Sequence, residues 1–328
     1  MKRLRFGIIG AGSITHGHAQ RLTGSGEAEI VAVTEPSAAS VEAFRRATGL
    51  APTVYADHTA MLAAEHLDAV LIGSPHTAHF AQSRDALEAG AHVLSEKPLV
   101  CSVADARALD AVRERAGRVL MISYQRHTEP RYLWMKEQIA SGAIGRLTYI
   151  AAVSCQEWLT FARGSWRQVP ALSGGGQLND TGSHFVDVLI WLGGPVAEVT
   201  ALQDFRGTEV DINSAVSFRY ANGALGTLTV IGDTHSWWED WTISGEGGTI
   251  FYRNGRLLKA VMGSGLREVP ESELPESPGD VDRAFLRAIR GESDVLVPAS
   301  IGVGVIQLTE AAWRSAEAGG QPVRVSDL

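Results

Sequence analysis

Short apolar runs alternate with amphipathic segments through the first third of the chain. Residues 4–10, 29–34, 67–73, 91–95 and 119–123 carry few polar side chains, the pattern of strands buried on both faces of a parallel sheet. Between them, residues 14–22, 38–48, 60–64, 78–89 and 103–115 place apolar side chains at helical spacing. Strand and helix in alternation predict right-handed βαβ units wound into a doubly wound sheet.

After Tyr124 the rhythm changes. A helix over 132–141 runs into Gly142 and Gly145, and strands follow at 147–154, 197–204, 214–220, 225–231, 241–244 and 249–253. Asn222-Gly223 between two such strands is the strongest hairpin cue in the chain. One helix, 182–192, interrupts the strands, and two more, 281–290 and 301–318, close the chain. Strands joined by short turns imply a mostly antiparallel sheet. The fold class expected is therefore α/β, with a Rossmann domain over 1–124 and an α+β domain with an open, mostly antiparallel sheet over 125–328.

At 328 residues there is chain enough for both cores. The net charge of −8, without a basic run, disfavours nucleic acid and anionic membranes as partners. No apolar run approaches a membrane span, and the run Phe6–Ile9 behind the basic start is broken by glycine, so export is not expected. Only Cys101 and Cys155 are present, with no metal-ligand spacing, which points to a reducing, cytoplasmic setting and no metal.

Gly10-Ala11-Gly12-Ser13-Ile14-Thr15 stands where a strand ends and a helix begins. Gly10 permits the tight turn, Gly12 lets backbone approach a pyrophosphate, and the amides of Ser13 and Ile14 open the helix. A glycine-rich turn alone is common. Here Glu35 ends the second strand, where it can accept hydrogen bonds from both adenosine-ribose hydroxyls and would repel a 2′-phosphate. NAD is expected rather than NADP.

Asp68-Ala-Val-Leu-Ile-Gly-Ser-Pro75-His-Thr-Ala-His79 leads into Glu96-Lys97-Pro98, and Gly174-Gly-Gly-Gln-Leu-Asn-Asp180-Thr-Gly-Ser-His184-Phe-Val-Asp187 follows much later. With the Gly10 turn, this ordered set resembles the glucose–fructose oxidoreductase / inositol dehydrogenase / rhizopine-catabolism (Gfo/Idh/MocA) family across nearly the whole chain. The resemblance implies an NAD-dependent oxidoreductase that moves a hydride between nicotinamide and a sugar, inositol or related polyol. It implies a cofactor lined also by Ser74, His76, His79, Glu96 and Lys97, and a catalytic set of Lys97, Asp180 and His184. It further implies a C-terminal domain that binds substrate and joins copies into a homodimer or homotetramer. Two positions depart from the pattern: Thr15 replaces the last fingerprint glycine, and His76 stands where the family commonly has Asn.

Oxidising an alcohol needs a base for the hydroxyl proton and a group to stabilise developing alkoxide charge. Asp180 and His184, four apart, would meet if the helix begins early enough, and Lys97 after its strand end could face them. Spacing alone favours an N-cap Asp and a satisfied buried His; the glycine turn and the family pattern favour catalysis. Arg126, Trp166 and Arg167 are candidate substrate contacts. Two other readings stand beside this one: an NAD-using glycosidase or epimerase relative, and a non-catalytic sugar sensor on the same scaffold, which would not need Lys97, Asp180 and His184.

Overall fold

The computed structural model describes residues 2–328, and the early apolar runs form a six-stranded parallel sheet. Its elements are β1 (Leu4–Ile9), α1 (Ser13–Gly24), β2 (Ala28–Thr34), α2 (Ala38–Thr48), β3 (Thr53–Tyr55), α3 (His58–Ala64), β4 (Ala69–Ile72), α4 (His79–Glu88), β5 (His92–Ser95), α5 (Val103–Ala116) and β6 (Leu120–Ile122). Strand order is β3-β2-β1-β4-β5-β6, the doubly wound Rossmann arrangement. All of β4 is buried, as an unbroken apolar run requires at the sheet centre. The edge strand β3 escaped the sequence reading because its three residues are exposed or half-buried and form no apolar run.

This unit is not one continuous stretch. It takes the chain through Val100, then Ala104–Gln125, then Pro278–Ser300. The returning segment brings a helix whose inner face packs Phe285 edge-on to Phe6 (centroids 6.1 Å apart), and Ile122 N–H donates to Val297 O at 3.1 Å.

The second unit comprises Cys101–Val103, Arg126–Ser277 and Ile301–Leu328. Its elements begin with α6 (Pro130–Ala140), β7 (Leu147–Cys155), α7 (Trp158–Phe161), α8 (Pro170–Ser173) and α9 (Gly182–Gly193). There follow β8 (Val196–Asp204), β9 (Asn213–Tyr220), β10 (Leu225–Ile231), β11 (Trp238–Gly245), β12 (Gly248–Arg253), β13 (Arg256–Val261) and β14 (Gly265–Glu268). Then come α10 (Val281–Ile289, the helix of the returning segment), α11 (Ala299–Glu317) and β15 (Val323–Arg324).

The nine strands run β14-β13-β12-β11-β7-β10-β9-β8-β15, antiparallel except where β10 lies parallel to β7. The β9–β10 turn uses the predicted Asn222-Gly223: Gly223 has φ +89°, and Asn222 Oδ1 accepts from Ala224 N–H at 3.0 Å. Alternation is clear in β9, where Ser214, Val216, Phe218 and Tyr220 are buried and the residues between them are not. The covered face of the sheet meets α9 along β7 and β10. The other face presents Tyr149, Ala151, Val153, Ala215, Thr227 and Thr229, none of them fully buried.

Candidate functional site

In the first unit the turn after β1 is shaped by close approaches. Gly10 has φ +88°, and a Cβ there would lie 2.8 Å from Ser74 N and 2.9 Å from the Gly73 carbonyl. Thr15 is fully buried and gives its hydroxyl to Gly12 O at 2.8 Å. Room for it comes from Gly73, where a Cβ would sit 2.3 Å from Thr15 Cγ2. The tight helix–strand approach that a third fingerprint glycine normally permits is here granted from the opposite side, at the end of β4.

Gly12 caps α1 without a side-chain bond, the first turn carries no acid, and Ser13 and Ile14 are exposed. A Cβ on Gly12 would meet nothing within 4 Å. Glu35, at the tip of β2, accepts from Ala11 N–H and Ser37 N–H, both at 2.9 Å, which holds its carboxylate beside the turn. These residues fit a dinucleotide: open backbone donors at a helix start and a fixed acid for ribose hydroxyls.

At the end of β4, Ser74 Oγ donates to Gln82 Oε1 at 2.5 Å. His79 is fully buried, with Nδ1 2.8 Å from Pro98 O and Nε2 3.0 Å from Ser74 O, so it ties the β4 and β5 ends together. Burial pushes its pKa down against the pull of the two carbonyls. His76 is buried edge-on to His79, with ring centroids 5.9 Å apart. Lys97 is half-buried, and the Lys97–Pro98 peptide is cis.

Glu96 is engaged inward. Its Oε1 lies 2.9 Å from His18 Nε2, while His18 Nδ1 lies 2.6 Å from Asp282 Oδ1 and Arg21 Nε donates to Asp282 Oδ2 at 2.5 Å. Burial opposes the charged ring of His18, but the two carboxylates outweigh it and raise the pKa to about 9. Burial would likewise raise Glu96, yet His18, Lys97 and Ser123 bring it down to about 2. The folded state thus holds the His18 proton more tightly than the unfolded chain. Its contribution, about 3 kcal/mol, is complete below pH ~6.5 and is lost as pH rises through about 9. Denaturant midpoints at pH 6 and pH 9.5 should show that loss, and His18→Gln should abolish the difference; equal midpoints in the unmodified protein would refute the assignment.

In the second unit the Gly174–Gly176 turn is fixed from below by Asp211. This buried carboxylate accepts from Gly176 N–H at 2.9 Å and Leu178 N–H at 2.8 Å, and Asp211 O accepts from Gln177 N–H at 2.8 Å. Gly176 is required sterically, because a Cβ would lie 2.0 Å from Asp211 O. The turn delivers Asp180, which stands two residues before α9, the helix beginning at Gly182. Asp180 Oδ2 accepts from Trp158 Nε1 at 2.9 Å and Arg167 Nε at 3.0 Å. The Arg167 guanidinium covers Trp166 at 4.7 Å and Phe161 at 5.8 Å, and Phe161 is 62% exposed. On α9 only His184 and Trp191 escape full burial. Arg126, expected at the substrate, is buried: Nη2 donates to Glu239 Oε2 at 2.8 Å, and its plane lies 4.4 Å over Phe185. Among the described residues its Nη1 has no partner.

Comparison with known proteins bears on both units. Residues 4–124 match the model of an oxidoreductase family with an NAD-binding Rossmann fold, and residues 132–251 match the Gfo/Idh/MocA C-terminal domain. The chain belongs to the Gfo/Idh/MocA oxidoreductase family. It is 25% identical to the D-glucoside 3-dehydrogenase of Escherichia coli K12, covering 96% of each chain. It is 28% identical to the 1,5-anhydro-D-fructose reductase of Ensifer adhaerens, covering 96% of this chain and 97% of that one. Among solved structures, the WlbA dehydrogenase from Bordetella pertussis, in complex with NADH and UDP-GlcNAcA, superposes with a TM-score of 0.84 at 25% identity, over 98% of this chain and 99% of that one.

Within this Gfo/Idh/MocA protein, sequence reasoning missed His18, Asp282 and Asp211 as supports of the site. His18 carried one signal, its place on the first turn-and-a-half of α1 facing the sheet; Asp282 carried none, lying 186 residues beyond Glu96. Among the described residues no group of three or more His, Cys, Asp or Glu is placed to hold a metal ion, and no helix is long and apolar enough to cross a membrane.

Proposed function

We propose that the protein is an NAD-dependent dehydrogenase for a hydroxyl of a sugar, inositol or related polyol. The observation that carries this is His184, half-buried on a helix where only Trp191 is also less than fully buried, next to a turn whose carboxylate is fixed by Trp158 and Arg167. The relatives that act on glucosides and anhydrosugars support the substrate class.

Gly10, Gly12, Ser13, Ile14, Glu35 and Ser74 would hold NAD, with His76 and Lys97 toward the nicotinamide end; His79 and Glu96 shape that end from beneath. NAD held by these residues would supply the hydride acceptor. His184 takes the substrate hydroxyl proton on its imidazole, Asp180 orients and balances it, and Lys97 stabilises charge developing on the oxygen. Trp166 and Phe161 offer apolar faces to sugar C–H groups, and Arg167 offers N–H donors to its hydroxyls. Incubation with NAD and a panel of inositols, aldoses and their acids tests the reading: absorbance from NADH should rise with at least one polyol.

Cofactor choice has its own expectation. The unmodified protein should prefer NAD to NADP, and Glu35→Ala should narrow the gap by removing repulsion of a 2′-phosphate. Equal binding of the two cofactors by the unmodified protein, measured by titration calorimetry, would refute it. We further propose a cytoplasmic homodimer or homotetramer, joined through the uncovered face of the nine-stranded sheet. The support is that neither Cys101 nor Cys155 is in a disulfide, together with the weakly charged face of Tyr149, Ala151, Val153, Thr227 and Thr229.

A further inference from the structure

A cavity of about 360 Å³ opens in the second unit between the Gly174–Gly176 turn, the loop that follows β8, and the last turns of α11. All its lining residues belong to that unit, and neither Asp180 nor His184 is among them. Its size is at the small end of the roughly 300–1,000 Å³ range of ligand pockets. Much of the wall is apolar: Phe205, Val210 and Ala316, with the half-buried indole of Trp313. Trp313 gives its indole N–H to the Asp211 carboxylate, and its ring packs tightly on the turn: a Cβ on Gly175 would lie 2.4 Å from Cζ2.

The polar groups of the cavity are one-sided. Glu209 and Glu317 line it, and among the described residues neither carboxylate is in an ion pair or a side-chain hydrogen bond. No lysine, arginine or histidine lines it. The arginines beside Phe205 and Trp313 in sequence are engaged elsewhere, Arg206 Nε with Asp233 at 2.8 Å and Arg314 with Glu310. Gln203 Nε2 donates to Ser214 Oγ at 3.0 Å, and the Trp313 N–H serves Asp211. The lining side chains therefore present acceptors and negative charge. A polyol hydroxyl both donates and accepts, whereas an ammonium only donates. Aromatic faces also attract a cation through the ring quadrupole.

From this geometry we propose that the cavity is a second binding site, for a small primary ammonium carried on an apolar body. The body lies against Trp313 and Phe205, and the cation meets Glu209 and Glu317. Because Trp313 also braces Asp211, the occupant rests on the support of the turn that carries Asp180.

Calorimetric titration of the NAD-saturated protein with benzylamine, and with benzyl alcohol as a neutral molecule of the same shape, tests this. Benzylamine should bind saturably, one molecule per chain, and about tenfold more tightly than benzyl alcohol. Glu209→Gln and Glu317→Gln should each weaken benzylamine about two- to fivefold, the worth of an exposed ion pair, and leave benzyl alcohol unchanged. Both carboxylates are exposed, so these variants keep the fold. Added salt should weaken the amine and spare the alcohol. His184→Ala should bind benzylamine as the unmodified protein does, which separates this cavity from the polyol site. Four results would each overturn the proposal: no saturable binding, equal affinity for amine and alcohol, full affinity in the double variant Glu209→Gln/Glu317→Gln, or loss of binding in His184→Ala. Absence of polyol turnover would count against the proposed function and leave this site standing.

Discussion

His184→Ala lowers alcohol oxidation by about a hundred- to ten-thousand-fold, the usual worth of a general base, while NAD affinity is retained. The separation follows from where the residues lie. His184 is on α9 in the second unit, whereas the dinucleotide turn and Glu35 belong to the first. Asp180→Asn should be milder, since the amide can still accept from Trp158 Nε1 and Arg167 Nε but no longer balances a proton on the ring. If Lys97 and His184 serve one transition state, the double variant Lys97→Ala/His184→Ala costs less than the product of the single losses. The rate should rise with pH through one ionisation in the unmodified enzyme and lose that step in His184→Ala. A His184 variant with near-normal turnover and the same pH profile would transfer the role of base to another group, Lys97 first.

The largest expected effect on folding lies beneath the site, at Asp211. Asp211→Ala strips acceptors from two buried backbone amides, Gly176 and Leu178, each costing about 1–3 kcal/mol when unsatisfied. Together that is about 2–6 kcal/mol, a large share of a domain stability of about 5–15 kcal/mol. Gly176→Ala attacks the same contact from the other side, since its Cβ would fall 2.0 Å from a backbone oxygen that cannot rotate away. Both variants should show lower urea midpoints and, where folded, reduced turnover with NAD binding intact, because the turn delivers Asp180. Asp211→Asn retains one acceptor and should lie between. A wild-type midpoint for Asp211→Ala would show that water or neighbouring groups satisfy the turn.

What the sequence made legible was what repeats or pairs locally. The apolar runs of β1, β2, β4 and β5 and the Asn222-Gly223 hairpin follow from neighbouring residues, and their signals sit within a few positions of one another. The edge strands β3, β14 and β15 bury little, so hydrophobic periodicity does not register them. The charged row through His18 joins residues from three distant segments, and only the return of Pro278–Ser300 to the first sheet brings Asp282 there. Asp180 shows a subtler limit. The helix starts two residues after it, and two partners of its carboxylate, Trp158 and Arg167, lie 22 and 13 positions away, beyond the reach of helical spacing. Arg126, a candidate substrate contact in the sequence, is an ion-paired core residue, a placement set by Glu239, 113 positions away.

The central claim is that the chain moves a hydride from a polyol carbon to NAD. Polyols deuterated at each carbinol position in turn, incubated with NAD and the enzyme, test it most directly, with the product cofactor weighed by mass spectrometry. NADH one mass unit heavier is expected from one labelled position and from no other. NAD that binds but never acquires deuterium, with any polyol tested, would contradict it.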